Sequence, residues 1–348
     1  MHLTRDRRVA VLLHEGILGE HGKTGLTLLR YSEAQIVAAI DYQCAGQSLS
    51  QLTGIAHDAP IVDSVASALA YQPDVLAIGI APSGGALPEA WWQEVKQAVE
   101  AGLSVVNGLH TPMASDTQLQ ALLREGQVIW DIRQEPQNLG IGSGKARSLP
   151  CKRVLTVGTD MSVGKMSASL ELHRAAQRRG IRAKFLATGQ AGLMIAGDGI
   201  PLDAIRVDFA AGAVEQMVVR FGNDYDLLLV EGQGSLLHPG STATLPLIRG
   251  TQPTGLVLLH RAGQTHIRQH EHVPIPPILE VVRLYEQVAS AAGAFAPVPV
   301  VAIALNTGHL DEVAARDAIA QVKAETGLPC TDAVRFGGEL LVDAVMAE

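Results

Sequence analysis

Cysteine is scarce. The three present, Cys44, Cys151 and Cys330, lie far apart in 348 residues, so neither a disulfide framework nor a cysteine-based zinc knuckle is available. Aromatic residues make up only 4%, too few for an aromatic-rich β-sandwich. No apolar run approaches the ~20 residues of a membrane-spanning helix. Positive charge is in deficit: 27 Lys and Arg stand against 35 Asp and Glu, a formal net charge of −8. That balance argues against a general nucleic-acid binder or a ligand of anionic membranes. The first residues, MHLTRDRRVAVLLHEG, start basic, but their apolar run is short for a signal peptide and is broken by His14 and Glu15. A soluble, cytoplasmic protein is expected. What is abundant is aliphatic: hydrophobic residues reach 47%, charged residues 18%, and there are 35 glycines. Such a chain fills a core and is not disordered.

The length suits two domains at roughly 150 residues each. In the first 130 residues, short aliphatic runs at 9–13, 36–40, 75–80, 103–106 and 128–130 read as buried strands. Helical patterns at 63–71, 88–101 and 117–124 lie between them. This rhythm predicts a parallel sheet covered on both faces, with ligands at the edge where the turns 81–85 and 107–110 follow strand ends. From Arg133 to Pro150 the pattern stops, and RQEPQNLGIGSGKARSLP reads as a flexible linker. A second β/α series follows, with strands at 154–157, 183–187, 227–230, 256–259 and 300–305. Its helices are expected at 165–179, 212–221, 277–291 and 311–326. The fold class is therefore α/β with two doubly wound domains: 1–135, a linker at 136–150, and 151–348.

The most informative segment is VLTVGTDMSVGKMSASLELHRAAQ. Gly158, Gly164 and Lys165 sit between a buried strand and an amphipathic helix, the context of a phosphate-binding loop. Backbone N–H groups and the helix N-terminus cradle phosphate oxygens, and the lysine adds a point charge. Five residues separate the two glycines, a spacing that resembles the GTDxxVGK loop of dethiobiotin synthetase. The expected ligand contacts are Gly158, Thr159, Asp160, Ser162, Val163, Gly164, Lys165, Met166 and Ser167. One departure matters. Met166 stands where a Ser or Thr hydroxyl normally holds Mg²⁺, and methionine cannot ligate magnesium. Ser167 points about 100° further round the helix.

A second strand end, Glu231-Gly232-Gln233-Gly234, resembles the acidic motif of the same nucleotide-binding class, against the plainer reading of a solvated exit from a strand. Glu231 and His238 are the best general-base pair within reach of the loop. Asn306 follows the last strand, where dethiobiotin-synthetase-like folds place an asparagine on adenine; a simple turn explains it equally well. His260, His266, His270 and His272 invite a metal reading, since His266 and His270 are spaced i, i+4. The prolines around them favour polar strand-end residues instead, and no metal is expected. In the N-terminal half, Lys23, Thr24 and Arg30 can hold an anion or simply be solvated. Arg133 can clamp a carboxylate or pair with a nearby acid.

In order along the chain these features resemble the D-glutamate N-acetyltransferase-like family, formerly catalogued as a domain of unknown function. The resemblance covers nearly the whole sequence: a GKT-type loop, a D-x-R strand end, GTDxxVGKM, VEGQGSL and an ALNT strand. It implies a Rossmann-like N-terminal domain, a P-loop NTPase-like C-terminal domain and acetyl transfer from acetyl-CoA to the amine of an acidic D-amino acid. Coenzyme A carries a 3′-phosphate and a pyrophosphate, so a loop can anchor it without a magnesium hydroxyl. Glu231 or His238 would be the base, amides of Gly232–Gly234 the oxyanion donors. Lys23, Thr24, Arg133 and Arg335 would meet the substrate carboxylates. The only partners expected are an amino-acid substrate and further copies in a homo-oligomer. Two rivals stand beside this: an ATP and Mg²⁺-dependent ligase or kinase with Asp160 and Glu231 on the metal, and a nucleotide-sensing regulator.

Overall fold

The computed structural model describes residues 2–82, 85–292 and 296–347, so Ser83 and Gly84 of the expected turn 81–85 lie outside the described residues. The chain divides into two compact units. One holds the residues up to Gln134 together with Gln190–Pro201; the other holds Glu135–Gly189 and the residues from Leu202 onward.

The first unit contains β1 (Arg8–Leu12), β2 (Gln35–Ile40), β3 (Ile61–Val62), β4 (Val75–Ile78), β5 (Ser104–Asn107) and β6 (Ile129–Asp131). They form one parallel sheet in the order β3-β2-β1-β4-β5-β6, the doubly wound order whose direction of winding reverses between β1 and β4. Both faces are covered, so β1 is aliphatic throughout, and Val9, Ala10, Val11 and Leu12 are fully buried. The sequence missed the helix Lys23–Tyr31 because its glycines read as a loop. They are packing devices instead. A Cβ on Gly79 would lie 2.7 Å from the Gly25 Cα, and one on Gly25 would lie 2.6 Å from the Leu13 side chain. The helix thus crosses the end of β4 at a distance only glycine permits. The helix Gln190–Ala196 packs on it, with Met194 wholly buried. Residues 190–201, read from sequence as part of the second domain, count with the first unit.

The second unit has β7 (Lys152–Gly158), β8 (Ala183–Leu186), β9 (Leu227–Val230), β10 (Gly255–Arg261), β11 (His266–Ile267), β12 (His270–Pro274), β13 (Val300–Asn306) and β14 (Cys330–Thr331). Six of them make a parallel sheet ordered β14-β13-β10-β7-β9-β8, and β11 with β12 forms a separate antiparallel hairpin. Helix Lys165–Arg178 follows β7 directly and buries Ala168, Leu172 and Ala175 against Val154, Leu229 and Val257 of the sheet. The hairpin was invisible in the sequence, since prolines and histidines disguise five strand residues as loop.

The expected flexible linker is fixed in place. Glu215, buried on the helix Val207–Phe221, accepts from the Ser143 N–H at 2.7 Å and from the Lys145 N–H. Gly212 lets the segment lie flat on that helix, because a Cβ there would stand 1.8 Å from the Gly140 carbonyl oxygen. Gly212→Ala is expected to lower unfolding stability by about 1–3 kcal/mol, the usual cost of overpacking, measured by denaturant titration. Unchanged stability would mean that the segment is not held.

Candidate functional site

Residues 158–165 bridge the end of β7 and the helix behind it. Ser162 and Gly164 take positive φ of 57° and 110°, which turns successive backbone N–H groups inward. A non-glycine residue in that region costs energy and is characteristic of functional loops. The helix begins on Gly164 with no side-chain cap and no acidic residue in its first turn. Its N-terminus is therefore suited to an anion. Lys165 is the first helical residue and is only 7% exposed, yet it lies in the loop rather than in the core: its ammonium donates to the Asp160 carbonyl at 2.8 Å. Val163 is buried in the sheet–helix core and pins the loop from below.

Three of the ties that hold this loop to its neighbours come from Thr159, Tyr285 and Asn306. The Thr159 N–H donates to the Leu259 carbonyl at 2.9 Å, and the Thr159 hydroxyl meets His260 Nδ1 at 2.9 Å. Tyr285 donates to the Gly158 carbonyl at 2.7 Å and accepts from the Leu236 N–H at 3.1 Å, linking the loop to the segment after β9. Burial pushes the Tyr285 phenol up, so it stays protonated. Asn306 is the third tie: its amide donates to the Val163 carbonyl at 3.1 Å and accepts from the Gly308 N–H at 3.1 Å. That side chain therefore braces the loop, with one N–H and one oxygen lone pair beyond these two bonds.

Burial lowers His260 to about 4, so the folded protein keeps it neutral where an unfolded chain would be protonated below about 6.5. The unfolded state then binds the extra proton. Stability from this group is complete above about pH 6.5 and falls as the pH drops toward 4. Between pH 7 and pH 5 the loss should be about 2 kcal/mol, read from urea midpoints, and His260→Gln should flatten that difference. A histidine and a glutamine protein with equal acid sensitivity would contradict it.

The positions available to magnesium are otherwise occupied. Met166 is buried and apolar. Asp160 Oδ1 accepts from the Met161 N–H at 2.6 Å, while Oδ2 accepts from Gln264 at 2.7 Å and the Arg268 N–H at 2.8 Å. Glu231 Oε2 accepts from the N–H groups of Thr188 and Gly189 at 2.9 and 3.2 Å, and Oε1 from the Gln233 amide at 3.1 Å. Glu231 therefore anchors the turn at 188–189. The Gly232 N–H, expected as an oxyanion donor, is spent on the Thr156 hydroxyl at 2.9 Å.

His238, 9% exposed, accepts from the Gly240 N–H at Nδ1 over 3.0 Å. In the neutral ring the proton then sits on Nε2, which makes this histidine a donor in its resting state rather than a waiting base. His270 stands edge-on to it with ring centroids 5.0 Å apart, and His272 lies 5.9 Å beyond. The helical spacing that suggested a metal does not apply to the histidine stretch. His266 and His270 are on strands of the hairpin, where i, i+4 spacing no longer brings side chains together. Among the described residues no group of three or more His, Cys, Asp or Glu can hold a metal ion.

In the first unit Arg133 donates to the Gly108 carbonyl at 2.7 Å and lines a pocket of about 460 Å³ with Pro82, Gly85, Leu109 and His110. Burial pulls Arg133 down, and burial with the nearby Arg133 charge pulls His110 down, so an anion in this pocket would be welcome to both. Lys23 and Thr24 do not form a comparable site. The loop after β1 is tied to Asp41 through the N–H groups of Glu15 and Ile17 and runs into a 3-10 turn, Glu20–Gly22, with acidic Glu20 at its front. Lys23 is exposed on the following turn and Thr24 is buried. Arg335 is committed elsewhere, donating to the carbonyls of Thr307 and Leu310 at 3.1 and 2.7 Å.

A doubly wound unit in Rossmann order and a second parallel sheet carrying an uncapped glycine–lysine loop define the class: a two-unit α/β protein with a P-loop domain. The chain belongs to the DUF1611 family, whose P-loop domain (domain of unknown function, DUF1611_C) matches residues 140–342 and whose Rossmann-like domain (DUF1611_N) matches 42–135. The crystal structure of a DUF1611 family protein from Anabaena variabilis is 68% identical over 98% of this chain and 99% of that one, with a TM-score of 0.95. A protein from Tritonibacter scottomollicae named D-glutamate N-acetyltransferase is 38% identical, covering 78% of this chain and 81% of its own. One of the same name from a Pseudoalteromonas species is 34% identical, covering 82% and 83%. Among the described residues no helix is long and apolar enough to cross a membrane.

Proposed function

We propose that this protein is an N-acetyltransferase that moves the acetyl group of acetyl-CoA to the α-amine of D-glutamate, with the loop 158–165 anchoring cofactor phosphates. The observation that carries this reading is the fate of the magnesium positions. Met166 offers no oxygen, and the carboxylate of Asp160 already accepts three hydrogen bonds. The loop holds phosphates without a metal to activate them, which suits coenzyme A better than ATP. The names of the two enzyme relatives support the acceptor.

In the transfer the free amine attacks the thioester carbon, the new C–N bond forms and the C–S bond breaks. N-acetyl-D-glutamate and coenzyme A thiol result, and the ammonium proton passes by way of Glu231 to solvent. Glu231 Oε1, whose Gln233 partner is a movable side chain, holds the incoming ammonium and accepts its proton. His238 Nε2–H donates a hydrogen bond to the thioester oxygen as it gains charge, and the attacking nitrogen's second proton passes to the departing sulfur. The test is free-thiol release from acetyl-CoA with a panel of D- and L-amino acids, expected with D-glutamate and independent of magnesium. Phosphate release from ATP that requires magnesium, with no thiol from any acceptor, would overturn the reading in favour of a ligase or kinase.

A further inference from the structure

We infer that His270 is a positioning residue for His238, carried on a hairpin that the phosphate loop itself holds in place. This rests on the reading of His238 as the hydrogen-bond donor to the thioester oxygen in acetyl transfer. One hydrogen bond, from the Gly240 N–H to Nδ1 at 3.0 Å, fixes where the His238 ring is attached to its own loop. A single bond to one ring nitrogen leaves the ring able to tilt about it, and tilting swings Nε2 away from any fixed target. The His270 ring closes that freedom. It meets His238 edge to face at 5.0 Å and 85°, an arrangement of positive edge against negative face that aromatic rings favour.

His270 is in turn located by the loop. It lies on β12, and the hairpin is tied to Asp160 Oδ2 twice, by the Arg268 N–H at 2.8 Å and the Gln264 amide at 2.7 Å. The Ile275 N–H, donating to the Thr265 carbonyl at 2.8 Å, closes the hairpin's base. His272, 5.9 Å away at 83°, supports the outer side of His270. The aspartate of the phosphate loop thus sets the hairpin, the hairpin sets His270, and His270 sets the donor. Through that series the buried Asp160 carboxylate registers the hydrogen-bond donor to the loop that grips the cofactor.

The experiment compares His270→Ala and His270→Phe with the wild type, following thiol release and, separately, the ¹⁵N resonances of the His238 imidazole. Alanine should lower kcat about 10- to 100-fold, the usual penalty of a misplaced group, while KM for acetyl-CoA moves less than twofold. Phenylalanine keeps a flat ring edge but no nitrogen, so it should restore most of kcat. Wild-type His238 should show one fixed tautomer with the proton on Nε2, and His270→Ala should show averaged nitrogen shifts. A phenylalanine protein as slow as the alanine one would make His270 a proton carrier and overturn the inference. So would His238 resonances that do not change in His270→Ala, a result that counts whether or not the protein acetylates D-glutamate. Absence of thiol release from the wild type, with the nitrogen shifts as expected, would instead sink the acetyl-transfer reading and leave the positioning of His238 standing.

Discussion

His238→Ala is expected to lower kcat for D-glutamate acetylation by roughly 10²- to 10³-fold, the cost of removing one donor to a developing oxyanion. The reason is the direction of its proton. Gly240 occupies Nδ1, so the ring offers Nε2–H to an oxygen that becomes negative only as the thioester is attacked. An interaction made only in the transition state shows in kcat and kcat/KM together, so KM for acetyl-CoA should stay within a few-fold of wild type. His238→Gln keeps an amide that can point an N–H at the same place. Its remaining activity therefore reports the hydrogen-bonding share of the effect. Equal kcat in His238→Ala and the wild type would remove His238 from the chemistry.

Lys165→Ala should act on the other side of that division. Its ammonium lies over the loop, on the Asp160 carbonyl, where a phosphate oxygen would compete for it. Phosphates of coenzyme A do not react, so the lysine binds substrate and transition state alike. Its loss should raise KM for acetyl-CoA by about 10- to 100-fold with kcat largely kept, in line with the ~1.5–3 kcal/mol of a hydrogen bond to a charged group. The measurement is a full saturation curve in acetyl-CoA at fixed D-glutamate. A collapsed kcat at unchanged KM would mean that the phosphates are reacting groups, and the ligase or kinase reading would gain.

Ten strands of the two sheets were legible because residues covered on two faces must be aliphatic throughout, as in Val9–Leu12 or Leu227–Val230, whereas the two-residue edge strands β3 and β14 are too short to show a pattern. The loop at 158–165 was equally plain, since a glycine, a lysine and a strand-to-helix transition are local. What escaped the sequence was set by partners distant along the chain. Glu215 holds a segment some seventy residues earlier, and nothing in RQEPQNLGIGSGK announces it. Gly25 reads as a loop residue until Gly79 is placed beneath it. His238 was singled out in the sequence as a candidate base, but which of its nitrogens Gly240 addresses is a fact of three-dimensional placement. His270 was seen only as a possible ligand, because spacing along a chain cannot reveal a hairpin that stands its ring against another histidine.

The excursion of residues 190–201 into the first unit governs how the protein comes into being. On the ribosome, all six strands of the first sheet emerge by Asp131, yet the helix Gln190–Ala196 that covers the helix Lys23–Tyr31 is still unmade. The nascent first unit must wait, with that apolar surface open, while β7 and β8 are synthesised. Severing the gene after Gln134 would not yield two independent proteins, because the leading fragment would lack its last helix and the trailing one would display it without a seat.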